Sequence, residues 1–257
     1  MLELRDISKV YSPGSVNETC LFRHFDLSIP DHQFVSVVGS NGSGKTSMLN
    51  ILCGSIPVDE GQILMGDSDI SKVKDFNRYR TIGRVYQNPA MGTCGSMTLL
   101  ENMAMADNKG KSFGITRGVN RRRVDAYREM LKELGLGLED KLNVSVGALS
   151  GGQRQALALL MSTLTPIEFL ILDEHTAALD PKTAEVIMRL TDRIVRQKRL
   201  TTLMVTHNLR YALEYGDRLL MLHEGHIKLD KQGEEKASIK LEDVLTLFNQ
   251  ISIECGN

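Results

Sequence analysis

One octapeptide limits what this chain can fold into: Gly39-Ser40-Asn41-Gly42-Ser43-Gly44-Lys45-Thr46. It follows the apolar run Phe34-Val35-Ser36-Val37-Val38 and opens a stretch of helical character from Ser47 to Cys53. Strand, glycine loop, then Lys-Thr at a helix start is the setting of a phosphate-binding loop. The glycines let successive N–H groups curl towards one point, and the positive end of the helix dipole lies beneath them. Lys45 is placed to reach the β- and γ-phosphates, and the Thr46 hydroxyl suits Mg²⁺. A Gly-rich turn with an exposed lysine would explain the loop by itself but not its context. The expected ligand is a nucleoside triphosphate.

Two carboxylates end a second apolar run, Phe169-Leu170-Ile171-Leu172-Asp173-Glu174. Such a pair is costly unless it meets a cation or moves a proton. Beside a phosphate loop, Asp173 is expected to hold Mg²⁺, directly or through water, and Glu174 to act as the base on the attacking water. Two carboxylates capping the next helix would be the plainer reading without that loop. A third stretch, Leu149-Ser150-Gly151-Gly152-Gln153, precedes the helical run Arg154 to Leu164. Ser150 can cap that helix, and the glycines leave its first N–H groups open to an anion.

The rest of the chain fits an α/β architecture. Residues 2–8 and 26–29 alternate like strands, while 34–38, 82–86, 169–172 and 202–206 are short apolar runs suited to a sheet covered on both faces. Helical spacing places Val124, Tyr127, Leu131 and Leu134 on one face, and Val186, Leu190 and Ile194 on another after Asp180-Pro181. Residues 89–164 lack a buried strand and read as a helical insertion. A charged turn is expected at Lys231 to Lys236, then an amphipathic helix carrying Leu241, Val244, Leu245 and Phe248.

Composition narrows the function classes. With 257 residues, 42% hydrophobic and 25% charged, the chain can bury the core of one soluble domain. A formal net charge of −1 gives no electrostatic reason to expect nucleic acid. Cys20, Cys53, Cys94 and Cys255 are scattered, without a Cys-x-x-Cys pair, and fit free thiols of a reducing compartment. There is no basic-then-apolar leader and no apolar stretch near the ~20 residues that span a bilayer. Work at a membrane would need another chain to do the spanning. His223-Glu224-Gly225-His226 has its histidines three apart, not the four of a zinc-protease helix, and reads as surface residues in a turn.

Leu149 to Gln153, in order between the phosphate loop and Asp173-Glu174, resembles the signature of ATP-binding cassette (ABC) proteins, and the resemblance covers the whole chain. It implies further roles. Tyr11 resembles the aromatic that stacks on adenine, Gln87 the glutamine that contacts Mg²⁺, Ala178-Leu179-Asp180 the loop that crosses between subunits, and His207 the switch histidine near the γ-phosphate. The nucleotide-binding set is then Tyr11, Gly39, Ser40, Asn41, Gly42, Ser43, Gly44, Lys45, Thr46, Ser47, Ser150, Gly151, Gly152, Gln153 and Asp180. Thr46, Gln87 and Asp173 form the metal set, and Lys45, Gln87, Glu174 and His207 the catalytic set. One departure stands out: His175 follows the catalytic glutamate where the family usually has proline, which leaves open a titratable neighbour beside that base.

The family's fold is a P-loop NTPase of ABC type: a mixed, largely parallel sheet core, antiparallel N-terminal strands and an inserted helical subdomain. Residues 1–257 then form a single domain, with 1–88 and 165–230 as core, 89–164 as the helical signature subdomain and 231–257 as a C-terminal helical extension. The resemblance implies a homodimer holding ATP and Mg²⁺ between the Lys45 loop of one copy and the Ser150-Gly151-Gly152 loop of the other. It also implies a multi-span membrane permease and, through it, an extracytoplasmic solute-binding protein, which places the chain at the cytoplasmic face of the membrane. Pro89, Met91, Met97 and Leu99 are candidates for a groove that receives a permease helix, or are core filling. A cassette not fused to membrane spans leans towards import. The stretches Ile82 to Pro89, Met91-Gly92-Thr93 and Asp173 to Thr183 look like the ATP-binding proteins of bacterial tryptophan/tyrosine importers. The alternative is a soluble cassette of DNA repair or translation; its long heptad arms or tandem cassettes have no counterpart in this sequence. A non-hydrolysing module would have lost Lys45, Glu174 or His207.

Overall fold

The apolar runs become adjacent strands of one sheet. A computed structural model describes residues 1–111 and 118–254, the last six by backbone alone; Cys255 lies outside the described residues. In chain order, β1 (Leu2–Tyr11), β2 (Thr19–Ile29) and β3 (Phe34–Val38) precede α1 (Lys45–Cys53). Then come β4 (Glu60–Met65), β5 (Ser68–Asp69), α2 (Asp75–Arg78) and β6 (Ile82–Val85). Helices α3 (Leu99–Asp107), α4 (Val124–Lys132) and α5 (Gly151–Ser162) lead to β7 (Phe169–Asp173), α6 (Pro181–Lys198) and β8 (Thr201–Val205). The chain ends with α7 (Leu209–Glu214), β9 (Arg218–His223), β10 (His226–Gln232), α8 (Gly233–Ser238) and α9 (Leu241–Glu254).

The larger sheet has the order β10-β9-β3-β8-β7-β6; all its pairings are parallel except β9–β10. The smaller sheet, β2-β1-β4-β5, is antiparallel. Alternation along each central strand sorts the core into two faces. Val35, Val37, Ile171, Leu203 and Val205 pack with α1 and with Phe22, Ile29 and Ile63 of the smaller sheet. Leu170, Leu172 and Met204 face α3 to α6, where Leu99, Tyr127, Leu131, Leu157 and Ile187 fill the opposite side. Helix α1, which carries the phosphate loop at its start, is therefore clamped between two sheets. Helix α5, which follows Ser150, shares its core with the strand that ends in Asp173.

Several sequence expectations shift. Strands β1 and β2 run well beyond 2–8 and 26–29, because each has the other to pair with along its length. Leu134 lies past the end of α4 but is still buried, and Val186 is exposed while Ile187 and Met188 take the inner face of α6. Val186 is thus one step off the buried stripe that Leu190 and Ile194 define. The expected charged turn at 231–236 is instead the end of β10 and the start of α8, with Lys236 buried. In α9, Val244 is buried and Phe248 packs beside it, but Leu241 and Leu245 are exposed. Between β6 and β7 the described residues form helices and loops, with one isolated bridge between Thr98 and Ser145.

Candidate active site

The phosphate loop closes on its own lysine. Helix α1 begins at Lys45, two residues earlier than the periodicity predicts, with Gly44 in the left-handed region as its N-cap. Lys45 is buried, and its Nζ donates to Gly39 O (2.8 Å), Ser40 O (2.7 Å) and Ser43 Oγ (3.3 Å). Burial lowers its pKa, and the charge of Glu174 opposes that. An ammonium has three protons, so contact with a phosphate requires at least one of these bonds to be exchanged. Gly39 has no room for a side chain: a Cβ there would sit 2.1 Å from Leu222 O. The end of β9 thus forms the floor of the loop.

A cleft gathers Asn41, Gly42, Ser43, Gly44, Lys45, Thr46 and Ser47 with Glu174, His207 and Leu21. Leu21 comes from β2 and carries no motif, which is why the sequence does not single it out. Glu174 follows the last residue of β7 with φ +47°, a conformation costing about 1–3 kcal/mol for a non-glycine residue. Its N–H donates to Val205 O (2.9 Å), and its carbonyl accepts from Ala177 N (2.9 Å), so the chain is held on both sides. The result aims the carboxylate at His207, whose Nε2 is 2.7 Å from Glu174 Oε1. Lysine, carboxylate and imidazole therefore meet in one cleft, as hydrolysis of a phosphoanhydride needs.

Other expected residues stand elsewhere. Tyr11, Gln87 and Asp173 do not line this cleft. Gln87 is exposed beyond the end of β6. Tyr11 ends β1, with the Lys9 ammonium 5.8 Å from its ring centre. Asp173 Oδ2 accepts from Arg84 Nη2 (2.6 Å), a partner not foreseen from the sequence. Burial would lower the Arg84 pKa, but the hydrogen bond and charge of Asp173 outweigh it and the pKa is raised. The oxygen donors of Thr46, Asp173 and Gln87 are the hard ligand type that Mg²⁺ takes, so their chemistry fits that ion, and of the three Thr46 lines the cleft.

At the signature stretch, Ser150 caps α5 in a reciprocal box with Gln153. Gln153, expected at the nucleotide, is instead committed to this box, and its Nε2 donates to Leu136 O (3.1 Å). Ser150 and Gly151 are exposed, whereas Gly152 is buried against α6: a Cβ on it would meet Thr183 Cγ2 at 2.3 Å. Asp180 caps α6 by accepting from Thr183 N (3.1 Å), and hydrogen bonding from the Thr183 side chain, then its backbone, holds the Asp180 pKa below the usual range. None of these residues lines the Lys45 cleft.

Two histidine expectations are corrected. His175 is buried, with Nε2 3.0 Å from Thr191 Oγ1, and burial lowers its pKa to about 4. It is neutral at neutral pH and turned into the core, so it does not tune Glu174 by titrating there. His223 is not a surface residue: it is buried, with Nδ1 3.4 Å from Ser40 Oγ of the phosphate loop. The groove reading also divides. Met91 is 69% exposed, but Leu99 is fully buried in the core.

Comparison with known proteins gives the family. The ABC transporter family pattern matches residues 22–177. Over 248 residues the chain is 44% identical to a tyrosine transport ATP-binding protein of Clostridioides difficile (strain R20291), covering 96% of this chain and 98% of the relative. It is 29% identical over 250 residues to a phosphonates import ATP-binding protein of Lactococcus lactis subsp. cremoris (strain SK11), covering 95% and 98%. Among solved structures, a dimeric ATP-binding cassette in a post-hydrolysis state with ADP and Pi superposes with a TM-score of 0.74 at 29% identity, covering 90% of this chain and 98% of that one. A cassette in its ADP conformation shares the fold, with a TM-score of 0.79 at 23% identity over 100% and 99%. The chain belongs to the ABC transporter family, as one of its ATP-hydrolysing ATP-binding cassettes.

Proposed function

We propose that this protein powers uptake of an aromatic amino acid, tyrosine or tryptophan, by hydrolysing ATP with Mg²⁺ beneath a separate multi-span permease at the cytoplasmic face of the membrane. The observation that carries the enzymatic part is the 2.7 Å approach of His207 to Glu174 beside the Lys45 loop. The near full-length likeness to a tyrosine transport ATP-binding protein supports the substrate. An extracytoplasmic solute-binding protein delivers the amino acid to the permease.

In this reading the loop from Gly39 to Ser47 binds the phosphates, and Lys45 exchanges a loop carbonyl for a phosphate oxygen. Thr46, with Asp173 and Gln87, holds Mg²⁺. Held there, Mg²⁺ would supply positive charge against the phosphates. Glu174 orients the attacking water and accepts its proton, while His207 fixes the carboxylate and faces the γ-phosphate. Tyr11 stacks on adenine. The exposed Ser150-Gly151 end of α5 closes the site from a second copy, because it lies outside its own copy's cleft. Two copies related by a two-fold axis thus bind two ATP, with Asp180 at the crossing. The exposed Met91 surface receives a helix of the permease.

The substrate is tested in cells lacking this gene. Uptake of labelled tyrosine or tryptophan is expected to fall and to return with the gene. Unchanged uptake of both, with loss of another solute, would overturn the substrate and leave the transport ATPase standing.

A further inference from the structure

Arg84 is the one charged residue of β6, Ile-Gly-Arg-Val, and its side chain is only 7% exposed. Strand register explains what it touches. Arg84 pairs with Ile171 on β7, so Asp173, two residues on, lies on the same face of the sheet. The guanidinium reaches along that face to Asp173 Oδ2 (2.6 Å) and also donates to Asn50 Oδ1 (2.9 Å). Asn50 follows Thr46 by one helical turn on α1, and residues four apart share a helix face. Arg84 therefore ties Asp173 to the residue one turn beyond Thr46 on α1, and Thr46 and Asp173 are the two groups that the proposed function gives to the metal. It also stacks on the Tyr86 ring at 4.7 Å, next to Gln87. Its own carbonyl accepts from Ser162 Oγ (3.0 Å), and Tyr86 O accepts from Gln155 Nε2 (3.1 Å), both on α5.

As a purely structural ion pair, this placement carries a cost. The Arg84 Nε is buried with no partner among the described residues. An apolar side chain would fill the space without that loss. What the arginine adds is a fixed positive charge beside a carboxylate that must also serve a divalent cation.

We propose that Arg84 is a positioning residue: it holds Asp173 through Oδ2, leaves Oδ1 outside that bond, and sets how strongly nucleotide binding depends on Mg²⁺. This rests on the reading of the cleft as a Mg²⁺–ATP site. With the arginine in place, the repulsion between Asp173 and the phosphates of a metal-free nucleotide is offset by the adjacent positive charge. Without it, the uncompensated carboxylate draws the divalent ion more strongly and repels the bare polyphosphate.

The test measures binding of AMP-PNP, a non-hydrolysable ATP analogue, by calorimetry with Mg²⁺ and with EDTA, alongside thermal unfolding. The quantity read is the ratio of the two Kd values, metal-free over Mg²⁺-loaded. Arg84→Gln is expected to raise this ratio about tenfold, the scale of one unit charge near a divalent ion in a partly solvated site. Arg84→Lys, which keeps the charge but loses the fork and the stack, is expected to shift the ratio well below the Gln variant's change. Asp173→Asn, which keeps Arg84 and removes its partner's charge, is expected to tighten metal-free binding about tenfold. The proposal is overturned if Arg84→Gln leaves the ratio unchanged, or if Gln and Lys shift it alike. Unchanged metal-free affinity in Asp173→Asn overturns it even where Arg84→Gln does not fold. If wild type binds AMP-PNP equally with and without Mg²⁺, the reading of the cleft fails first and this one with it.

Discussion

His207 Nε2 lies 2.7 Å from Glu174 Oε1, across the mouth of the loop that encloses Lys45. The two residues follow adjacent parallel strands, β7 and β8, whose register sets Asp173 opposite Val205. Contact between the carboxylate and the imidazole is thus built into the sheet. His207→Ala is expected to leave nucleotide affinity within a few-fold and to lower kcat by roughly 10²-fold, the low end for losing an acid–base partner. Steady-state ATPase kinetics with parallel binding measurements check this; full turnover in the variant would remove His207 from the mechanism.

Exposure separates two residues of the expected permease groove. Leu99 is fully buried among α3, α4 and α5, so Leu99→Ala should cost about 2–5 kcal/mol of stability. Met91 is 69% exposed, and Met91→Glu should change stability by no more than about 0.5 kcal/mol. ATPase activity of the isolated Met91→Glu protein should match wild type while uptake in cells falls. Chemical denaturation, ATPase assays and uptake together decide the point.

Much of the site is legible in the sequence because it is local. The phosphate loop, the Ser150 cap and the Asp180 cap each depend on a few consecutive residues and their intrinsic geometry. The sheet core is legible for a similar reason, since strands covered on both faces lose alternation and read as apolar runs. What escapes depends on register between distant segments. Arg84 and Asp173 are 89 residues apart and meet because β6 pairs with β7. His223 and Ser40 are 183 residues apart and meet because β9 pairs with β3. Leu99 and Met91 are alike in composition, and only the packing of α3 buries one of them. His175 is legible as a departure from the family, but its burial against Thr191 is set by the approach of α6.

Lys236 gives a prediction about pH. It is buried, its Nζ donates to Tyr215 O (2.7 Å) and Gly216 O (2.6 Å), and burial lowers its pKa to about 8. Between that value and the ordinary 10.5, the unfolded chain holds the proton and the folded chain does not, so stability rises with pH through this window. Below pH 8 both forms are protonated and the contribution is flat. The neutral amine still has a proton for each carbonyl. Relative to Lys236→Met, wild type should gain about 2 kcal/mol between pH 8 and pH 10 in denaturant titrations. Parallel curves for the two proteins would contradict the shift.

Sharing of the site between two copies can be tested by mixing. Lys45→Ala disables the loop of one copy, and Ser150→Arg disables the face it offers to the other. A mixed dimer then has one site with both defects and one with neither. ATPase activity of the mixture should exceed that of either variant alone. Full activity in each variant by itself would refute the composite site.

The most direct test of the account is Glu174→Gln with ATP and Mg²⁺, read by light scattering after gel filtration and by phosphate release. The substitution keeps the shape of the side chain and removes its ability to accept a proton. The account predicts that ATP is bound but not cleaved, with turnover down at least about 10²-fold, and that the protein accumulates as a dimer holding ATP. Wild-type turnover in this variant, or a monomer with ATP bound, would contradict it.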